Sequence, residues 1–348
     1  MVKKPLYQQI SEQLERQIMS GELQVGAQLP TEHALAASHQ TSRITSKRAL
    51  SELENKGLVE RIRGKGTFVK ARSISKAVTS MKQVLFILPF PGQHDLGNFT
   101  ALMLPYLAEK GYHVHIQDES FLTQTHFFQL IEQYDGMIYY PETGNSNLDI
   151  LYQLHFQGFP VVLLDKKMEG IPFPYVTADN FSGGYMAAHL LLSKGHTKIA
   201  FLNSRTIQET STVRERYMGY LRALFEAGIS FHALETNVHS EEAYAGIAEK
   251  FVADDVTAIV AENDLMAIQF MKQAKKMGIR IPQDLAVIGF DNIQAAEFVE
   301  PSLTTISQNF EEMGRAAAIS LQKQIQKKDV ENAIIPVSLI ERESSGAR

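Results

Sequence analysis

Two architectures are predicted in this one chain: a small α+β head of three helices and a β-hairpin, and a larger α/β body of two lobes built around parallel sheets. Three observations predict them. Residues 1–82 carry 14 Lys/Arg against 7 Asp/Glu, a formal +7, whereas the remainder carries 20 against 32, a formal −12. Helical spacing dominates the start of the chain and gives way to a short strand-like segment around a Gly-Lys-Gly turn. Beyond residue 83, short apolar runs alternate with helical stretches, the pattern of a parallel sheet covered by helices on both faces.

Composition bounds the classes. A chain of 348 residues suits about two or three domains of roughly 100–200 residues each. A hydrophobic share of 44% lets each bury a core. The absence of cysteine excludes a disulfide framework, a thiolate metal site and a cysteine nucleophile. Met1-Val2-Lys3-Lys4-Pro5-Leu6 has two lysines but no apolar run behind them, so no secretory signal is expected. The apolar runs are too short to cross a bilayer, and a cytoplasmic protein is expected.

In the head, Pro5 opens a helix on which Ile10, Leu14 and Ile18 share one face, and Gly21 closes it. Gly26 and Pro30 mark a loop. Thr31 caps a short second helix to about Ser38, with Glu32 in its first turn. Thr41 or Ser42 caps a third helix that runs to about Lys56 and ends at Gly57. Ser46, Ala49, Leu50 and Leu53 form its inner stripe; Arg43 and Lys47 stand one turn apart on another face, beside Ile44 and Arg48. Residues 58–63 and 67–70 flank a Gly64-Lys65-Gly66 turn as a hairpin with a basic tip. Three helices and a hairpin in this order make a winged helix-turn-helix, whose third helix enters the major groove by its N-terminal end, where Arg43 sits. A basic head on an acidic body fits attraction to phosphate.

The words Leu29-Pro30-Thr31-Glu32, Ser42-Arg43-Ile44-Thr45-Ser46-Lys47-Arg48-Ala49-Leu50, Gly57-Leu58 and Gly64-Lys65-Gly66-Thr67-Phe68-Val69 resemble the DNA-binding domain of the GntR regulators. The resemblance implies that Arg43 and Lys47 contact operator bases or phosphates. It implies that the wing tip, Arg63 to Thr67, reaches the minor groove. Thr31, Glu32, Ser42, Ile44 and Thr45 complete the expected DNA-facing set. Two departures stand out: His33 and Lys47 occupy positions where many relatives carry arginine. Lysine lacks the planar fork that grips guanine, so Arg43 is the expected base reader and Lys47 a phosphate contact. Ile44 is either a lone exposed apolar residue or a contact for a thymine methyl.

Residues 71–82, small, polar and basic, are expected to link a DNA-binding domain at 1–70 to a ligand-binding and dimerisation domain at 83–348. In the body, strands are predicted at 84–89, 111–117, 136–140, 161–164, 198–202, 258–261 and 285–289. Helices are predicted at 99–110, 182–194, 215–227, 264–277 and 310–326. Sheets of this kind bind ligands beyond the C-terminal ends of their strands. The segments Thr177-Ala178-Asp179-Asn180, Gly195-His196-Thr197-Lys198-Ile199-Ala200, Arg216-Tyr217-Met218-Gly219-Tyr220, Glu262-Asn263-Asp264, Gly289-Phe290-Asp291-Asn292 and Pro301-Ser302-Leu303-Thr304-Thr305-Ile306 resemble the effector domain of the LacI/GalR regulators. That resemblance implies a periplasmic-binding-protein-like (type I) fold, a bacterial source and a small-molecule effector.

A polyol needs carboxylate acceptors, guanidinium and amide donors and an apolar face for its C–H side. By position in the matched words, Arg216, Asn263 and Asp291 are the leading effector-binding candidates, followed by Asp165 after the 161–164 strand. Phe90 and Glu142 are weaker candidates, where the match is thin. The plainer reading of each is a hinge ion pair, a helix cap or an exposed charge, and it weighs least against Arg216 and Asp291. His113 and His115 alternate on a strand without a third ligand, and solvent-facing imidazoles are expected rather than a metal.

The chain lacks G-x-S-x-G, H-E-x-x-H and G-x-x-x-x-G-K-[ST], and no catalytic residue, metal or cofactor is assigned. The expected function is a sequence-specific regulator, most simply a repressor released from a near-palindromic double-stranded operator by a small sugar and acting as a homodimer. A nucleoside or other non-sugar effector stays open. A solute-binding protein would explain the body but not the basic head.

Overall fold

In the computed structural model the described residues are 5–19, 23–24, 26–55, 58–62, 65–69, 82–89, 98–144, 146–204, 207, 209–229 and 241–346. The chain forms two compact units, residues 1–80 and 81–348.

The first unit holds α1 (Leu6–Met19), α2 (Glu32–Ser38), α3 (Arg43–Asn55), β1 (Val59–Ile62) and β2 (Gly66–Val69). Ile10, Leu14, Leu35, Ala49, Leu50 and Leu53 meet Leu58, Val59 and Val69 in one core, with Ile18 packed against it. Capping follows the polar residues: Thr31 Oγ1 accepts from the Ala34 amide at 3.2 Å, and Ser42 Oγ from the Thr45 amide at 3.2 Å. Ser42, rather than Thr41, therefore starts α3. The two strands pair antiparallel, Val59 with Val69 through Ile62 with Gly66. The Gly26 amide donates to Val69 O and the Leu29 amide to Thr67 O, which adds a third extended segment to the wing.

The second unit has two sheets. A six-stranded sheet runs in the order β12-β7-β6-β5-β3-β4 and a five-stranded sheet in the order β13-β11-β10-β9-β8. Every pairing is parallel except β11 with β13. The first lobe comprises β3 (Lys82–Leu88), α4 (Thr100–Glu109), β4 (Tyr112–Asp118), α5 (Phe127–Leu130), β5 (Gly136–Tyr139), α6 (Leu148–Phe156), β6 (Val161–Leu164), β7 (Tyr175–Ala178), α12 (Phe310–Ile325) and β12 (Ala333–Ile335). The second comprises α7 (Asn180–Ser193), β8 (Ile199–Leu202), α8 (Ser211–Glu226), α9 (Glu241–Ala253), β9 (Ala258–Ala261), α10 (Asp264–Lys276), β10 (Ala286–Asp291), α11 (Ala295–Phe298), β11 (Thr304–Ser307) and β13 (Ser338–Ile340). The chain crosses between lobes between β7 and α7, between β11 and α12, and between β12 and β13.

Strands β5, β6, β8 and β9 are buried on both faces, which is why they read as unbroken apolar runs, whereas the edge strand β4 is buried only at Tyr112. Phe86, Ile138 and Val162 pack under α4 and α12, while Leu85, Ile87 and Met137 pack under α6 and Phe127 on the other face. In the second lobe Ile259 and Val287 meet Phe251 and Phe270, and Phe201 and Ile288 meet Leu191 and Tyr220.

Several boundaries differ from the sequence reading. Lys82 belongs to β3 rather than to a linker, and residues 71–81 lie outside the described residues, as do Gly21 and Gly57. Helix α7 begins two residues earlier than expected because Asp179 caps it, its carboxylate accepting from the Ser182 amide at 3.0 Å. Helix α8 begins at Ser211, and β10 runs on to include Asp291. Strands β7, β11, β12 and β13 and helices α6 and α9 were not predicted: each strand spans only three or four residues, and three of the four residues of β11 are threonine or serine.

Helices α7 and α8 cross at two glycines. A Cβ on Gly184 would lie 1.9 Å from Arg216 O, and one on Gly219 would lie 2.0 Å from Phe181 O. The backbones touch, and this contact sets the position of Arg216. Gly184→Ala is therefore expected to destabilise the body by about 1–3 kcal/mol through overpacking. Urea unfolding followed by far-UV circular dichroism checks this, and an unchanged midpoint would exclude the tight crossing.

Candidate functional site

Two sites are assembled from the predicted residues. In the head, α3 projects Arg43, Ile44 and Lys47 outward; the Arg43 side chain is 64% exposed and Ile44 is 80% exposed. Arg43 Nε lies 3.1 Å from Glu32 Oε2, so an acidic residue on α2 holds the expected base reader. Glu32 Oε1 also lies 3.6 Å from Arg61 Nη1. Arg61 on β1 reaches α3 as well: it pairs with Glu54 at 3.1 Å and donates to Lys47 O at 3.2 Å and Ser51 Oγ at 3.0 Å. Arg61 thus docks the wing on the helix that precedes it. It was not among the predicted residues, having read as an ordinary strand charge.

At the wing tip, Lys65 and Gly66 are exposed and Gln28 Nε2 donates to Lys65 O at 2.8 Å. Gly66 has φ +123°, a backbone conformation that favours glycine, while a Cβ there would meet only the movable end of the Gln28 side chain, Nε2 at 2.5 Å. Thr31 and Ser42 are exposed caps, and Thr45 and Thr67 are partly exposed. Arg63 and Gly64 lie outside the described residues.

In the body, a cleft of about 410 Å³ opens between the lobes at the C-terminal ends of the strands. Glu142, Asp165, Arg216, Asn263 and Asp291 all line it. Phe90 lies outside the described residues. Residues of the cleft that sequence reasoning missed are Lys166, Ser204, Thr210, Glu262, Gln308 and Phe310. Glu262 sat in a quoted word and Lys166 beside a chosen carboxylate; the others carry no local signal.

Arg216 is buried at the centre. Its Nε donates to Asn180 Oδ1 at 2.8 Å and its Nη1 to the Glu262 carbonyl at 2.5 Å. Nη2 lies 3.6 Å from Asp291 Oδ1, and the guanidinium sits 3.7 Å from the centre of the Phe290 ring. Asn180 in turn donates to Thr177 Oγ1 and Ala178 O, so both lobes are tied at the first crossover. Opposite, Lys166 Nζ pairs with Asp165 Oδ2 at 2.9 Å and stands 4.1 Å above the Tyr140 ring. Asn263 spends its carbonyl capping α10 (to the Met266 amide, 2.8 Å), so only its amide nitrogen is left to face outward chemistry, and that donates to Glu262 Oε1 at 3.3 Å.

Two of the cleft carboxylates sit on left-handed backbone, Asp165 at φ +71° and Asp291 at φ +117°. Non-glycine residues in such conformations carry strain and cluster at functional sites. Four acids, Glu142, Asp165, Glu262 and Asp291, face two cations, Lys166 and Arg216. Burial pushes the Asp291 carboxyl up to about 6 against the pull of Arg216 and Gln308, with the charges of Asp165 and Glu262 adding to the rise. Thr210 Oγ1 and Gln308 Oε1 are buried with no hydrogen-bond partner among the described residues, two polar atoms at a cavity wall that a ligand would satisfy.

Residues 6–69 match the family "Bacterial regulatory proteins, gntR family", and residues 188–345 match the "Periplasmic binding protein-like domain". The chain is 28% identical over 343 residues to the "Arabinose metabolism transcriptional repressor" of Geobacillus stearothermophilus, covering 94% of this chain and 93% of that one. It is 31% identical to the "HTH-type transcriptional regulator DegA" of Bacillus subtilis, covering 64% of this chain and 68% of the relative. The chain belongs to the bacterial helix-turn-helix transcriptional regulators. The fold of the body agrees: a LacI family regulator from Enterococcus faecium, solved with bound ribose, superposes with a TM-score of 0.65 at 28% identity, over 76% of this chain and 99% of that one.

The regulator is thus a DNA-binding protein with a GntR-type head and a LacI-type effector domain, not an enzyme. Among the described residues, no group of three His, Asp or Glu could hold a metal, and no helix is long and apolar enough to cross a membrane. His115 is not simply solvent-facing: its Nδ1 lies 3.0 Å from Tyr134 OH, while His113 is exposed.

Beneath Asp291, Asp264 is fully buried; its carboxylate accepts from the Thr305 hydroxyl at 2.6 Å and the Ile293 amide at 2.9 Å. Burial, helped by the charge of Asp291, raises it to about 8. Both carboxyls bind their protons more tightly in the native than in the unfolded chain, so their contribution to stability is full below about pH 4. It is lost as pH rises through about 6 for Asp291 and about 8 for Asp264. Urea midpoints of the regulator should fall between pH 6 and 8 more steeply in the wild type than in Asp264→Asn; equal slopes would place the titration elsewhere.

Proposed function

We propose that this regulator is a repressor of sugar-utilisation genes that binds a near-palindromic operator as a homodimer and leaves it when a small sugar enters the cleft. The division into a head at 1–70, a linker at 71–81 and an effector and dimerisation domain from Lys82 onward belongs to the same reading, as does a cytoplasmic location. What carries it is the cleft: acceptors Asp165 and Asp291, the donor Arg216 and the unsatisfied Thr210 and Gln308 atoms converge on one space, with Phe310 as an apolar wall. That mixture suits vicinal hydroxyls on a ring whose other face is C–H. The relative matched along nearly its whole length is a repressor of arabinose metabolism, which makes L-arabinose the first sugar to test.

Two heads on a two-fold axis read two half-sites, and the ligand acts only through its different affinity for the two lobe arrangements. Arg43, freed from Glu32, is assigned to a guanine and Lys47 to a phosphate. Thr31, Ser42, Ile44, Thr45 and the tip residues Arg63 to Thr67 complete the proposed DNA face.

Thermal-shift measurements with L-arabinose, D-ribose, D-xylose, cellobiose and adenosine decide the effector class, because a ligand bound only by the native state raises Tm. A rise with adenosine alone would overturn the sugar reading. Arg43→Ala should lower affinity for the operator relative to unrelated DNA by about 5- to 150-fold in a shift assay. Unchanged selectivity would move the reading residue elsewhere. Asp291→Ala should retain operator binding and lose release by sugar. Because a protonated Asp291 accepts poorly from hydroxyls, sugar affinity should weaken as pH falls below about 6.

A further inference from the structure

A second cavity, of about 580 Å³, lies at the hinge itself. Its walls are the β11-to-α12 crossover, the β12-to-β13 crossover and the loop after β10, with Asn98 ahead of α4. Both lobes contribute. Asn98, Phe310 and Glu311 belong to the first lobe; Ile293, Gln294 and Ser338 belong to the second.

The lining is unusual in its chemistry. Five residues with side-chain amides and two serines line it, with Asn292 committed to Ser307 and Arg342 and with Asn98, Gln308 and Asn309 each committed at one end, and among the described residues that line it there is one acid and no Lys, Arg or His. Amides both donate and accept, as hydroxyl groups require, whereas a phosphate or carboxylate would lack a counter-charge. Phe310, Ile293 and Val337 supply an apolar wall. The buried member is Gln308, 7% exposed, whose Nε2 is committed to Asp291 at 2.6 Å and whose Oε1 has no partner among the described residues. Gln308 lines both cavities, so an O–H donor in either one satisfies that oxygen.

We propose that the hinge cavity is a second ligand site, distinct from the effector cleft, for a neutral polyhydroxylated ring of about monosaccharide to disaccharide size. Its volume, like that of the cleft, falls in the ordinary range for small-molecule pockets. A ligand there touches both lobes where the chain passes between them, so it weights one lobe arrangement over the other. Gln308 and Phe310 line both cavities, and this shared wall couples the two occupancies. Coupling of this kind is reciprocal: each ligand changes the affinity for the other by the same factor.

The test uses the full-length protein and isothermal titration with L-arabinose, D-ribose, D-glucose, cellobiose and glucose 6-phosphate. Arg216→Ala, or Asp291→Ala where the arginine variant does not fold, removes a central group of the effector cleft. In that variant one neutral sugar should still bind saturably, one per chain, and the uptake should vanish when Ser338→Trp or Gln294→Trp is added to fill the hinge cavity. Two filling variants guard against one that fails to fold, and the melting curve of each is recorded. No saturable binding of any neutral sugar to a cleft variant whose melting curve shows it folded overturns the proposal, as does binding that both folded filling variants leave intact. A preference for glucose 6-phosphate over glucose at the residual site overturns the ligand class. Failure of the effector-cleft reading would look different, with wild type and Arg216→Ala binding every sugar alike.

Discussion

The body is organised around one buried cation. The Arg216 guanidinium is held by an amide oxygen from α7, a carbonyl from the end of β9, a carboxylate at the end of β10 and the face of Phe290. A buried charge without such partners would cost several kcal/mol in lost hydration. Each partner therefore has its place dictated by the same group, and each lies where a strand or a crossover ends. The glycine contact between α7 and α8 lets the arginine's backbone come close enough for the arrangement to form.

Around that centre the cleft keeps more negative than positive charge. Burial raises the proton affinity of Asp291 and of Asp264, and the neighbouring carboxylates add to the rise. Carboxylates crowded in this way gain from a ligand that donates hydrogen bonds. The strained backbone at Asp165 and Asp291 belongs to the same economy of contacts, since both residues are turned into the cleft from strand ends on opposite lobes. The head follows a different logic. Glu32 and Arg61 bind α2, α3 and the wing together through exposed ion pairs of small individual worth, while the apolar core around Leu50 and Leu53 carries the stability.

Much of this was legible from residues alone. The three head helices, their caps at Thr31 and Ser42 and the wing were readable because capping chemistry and apolar spacing are local. Six of the seven predicted strands of the body were readable because burial on both faces makes an apolar run; the seventh, β4, is a largely exposed edge strand. Strands β7, β11, β12 and β13 were not. They owe their conformation to partners far away in sequence, as when Thr304 is satisfied by Ser344 and Arg342 rather than by neighbours.

The sequence by itself determined the class of the protein: a basic winged head, an acidic α/β body and the polar residues at strand ends, because charge, period and turn chemistry act over a few residues. Only the tertiary structure decided which of those residues meet. Gln308, Thr210 and Ser204 lie on three separate segments with no shared pattern, and Lys166 gains its role from the Tyr140 ring it covers. Their convergence follows from two sheets closing against each other through three crossovers, and long-range geometry of that kind leaves no periodic trace in the chain.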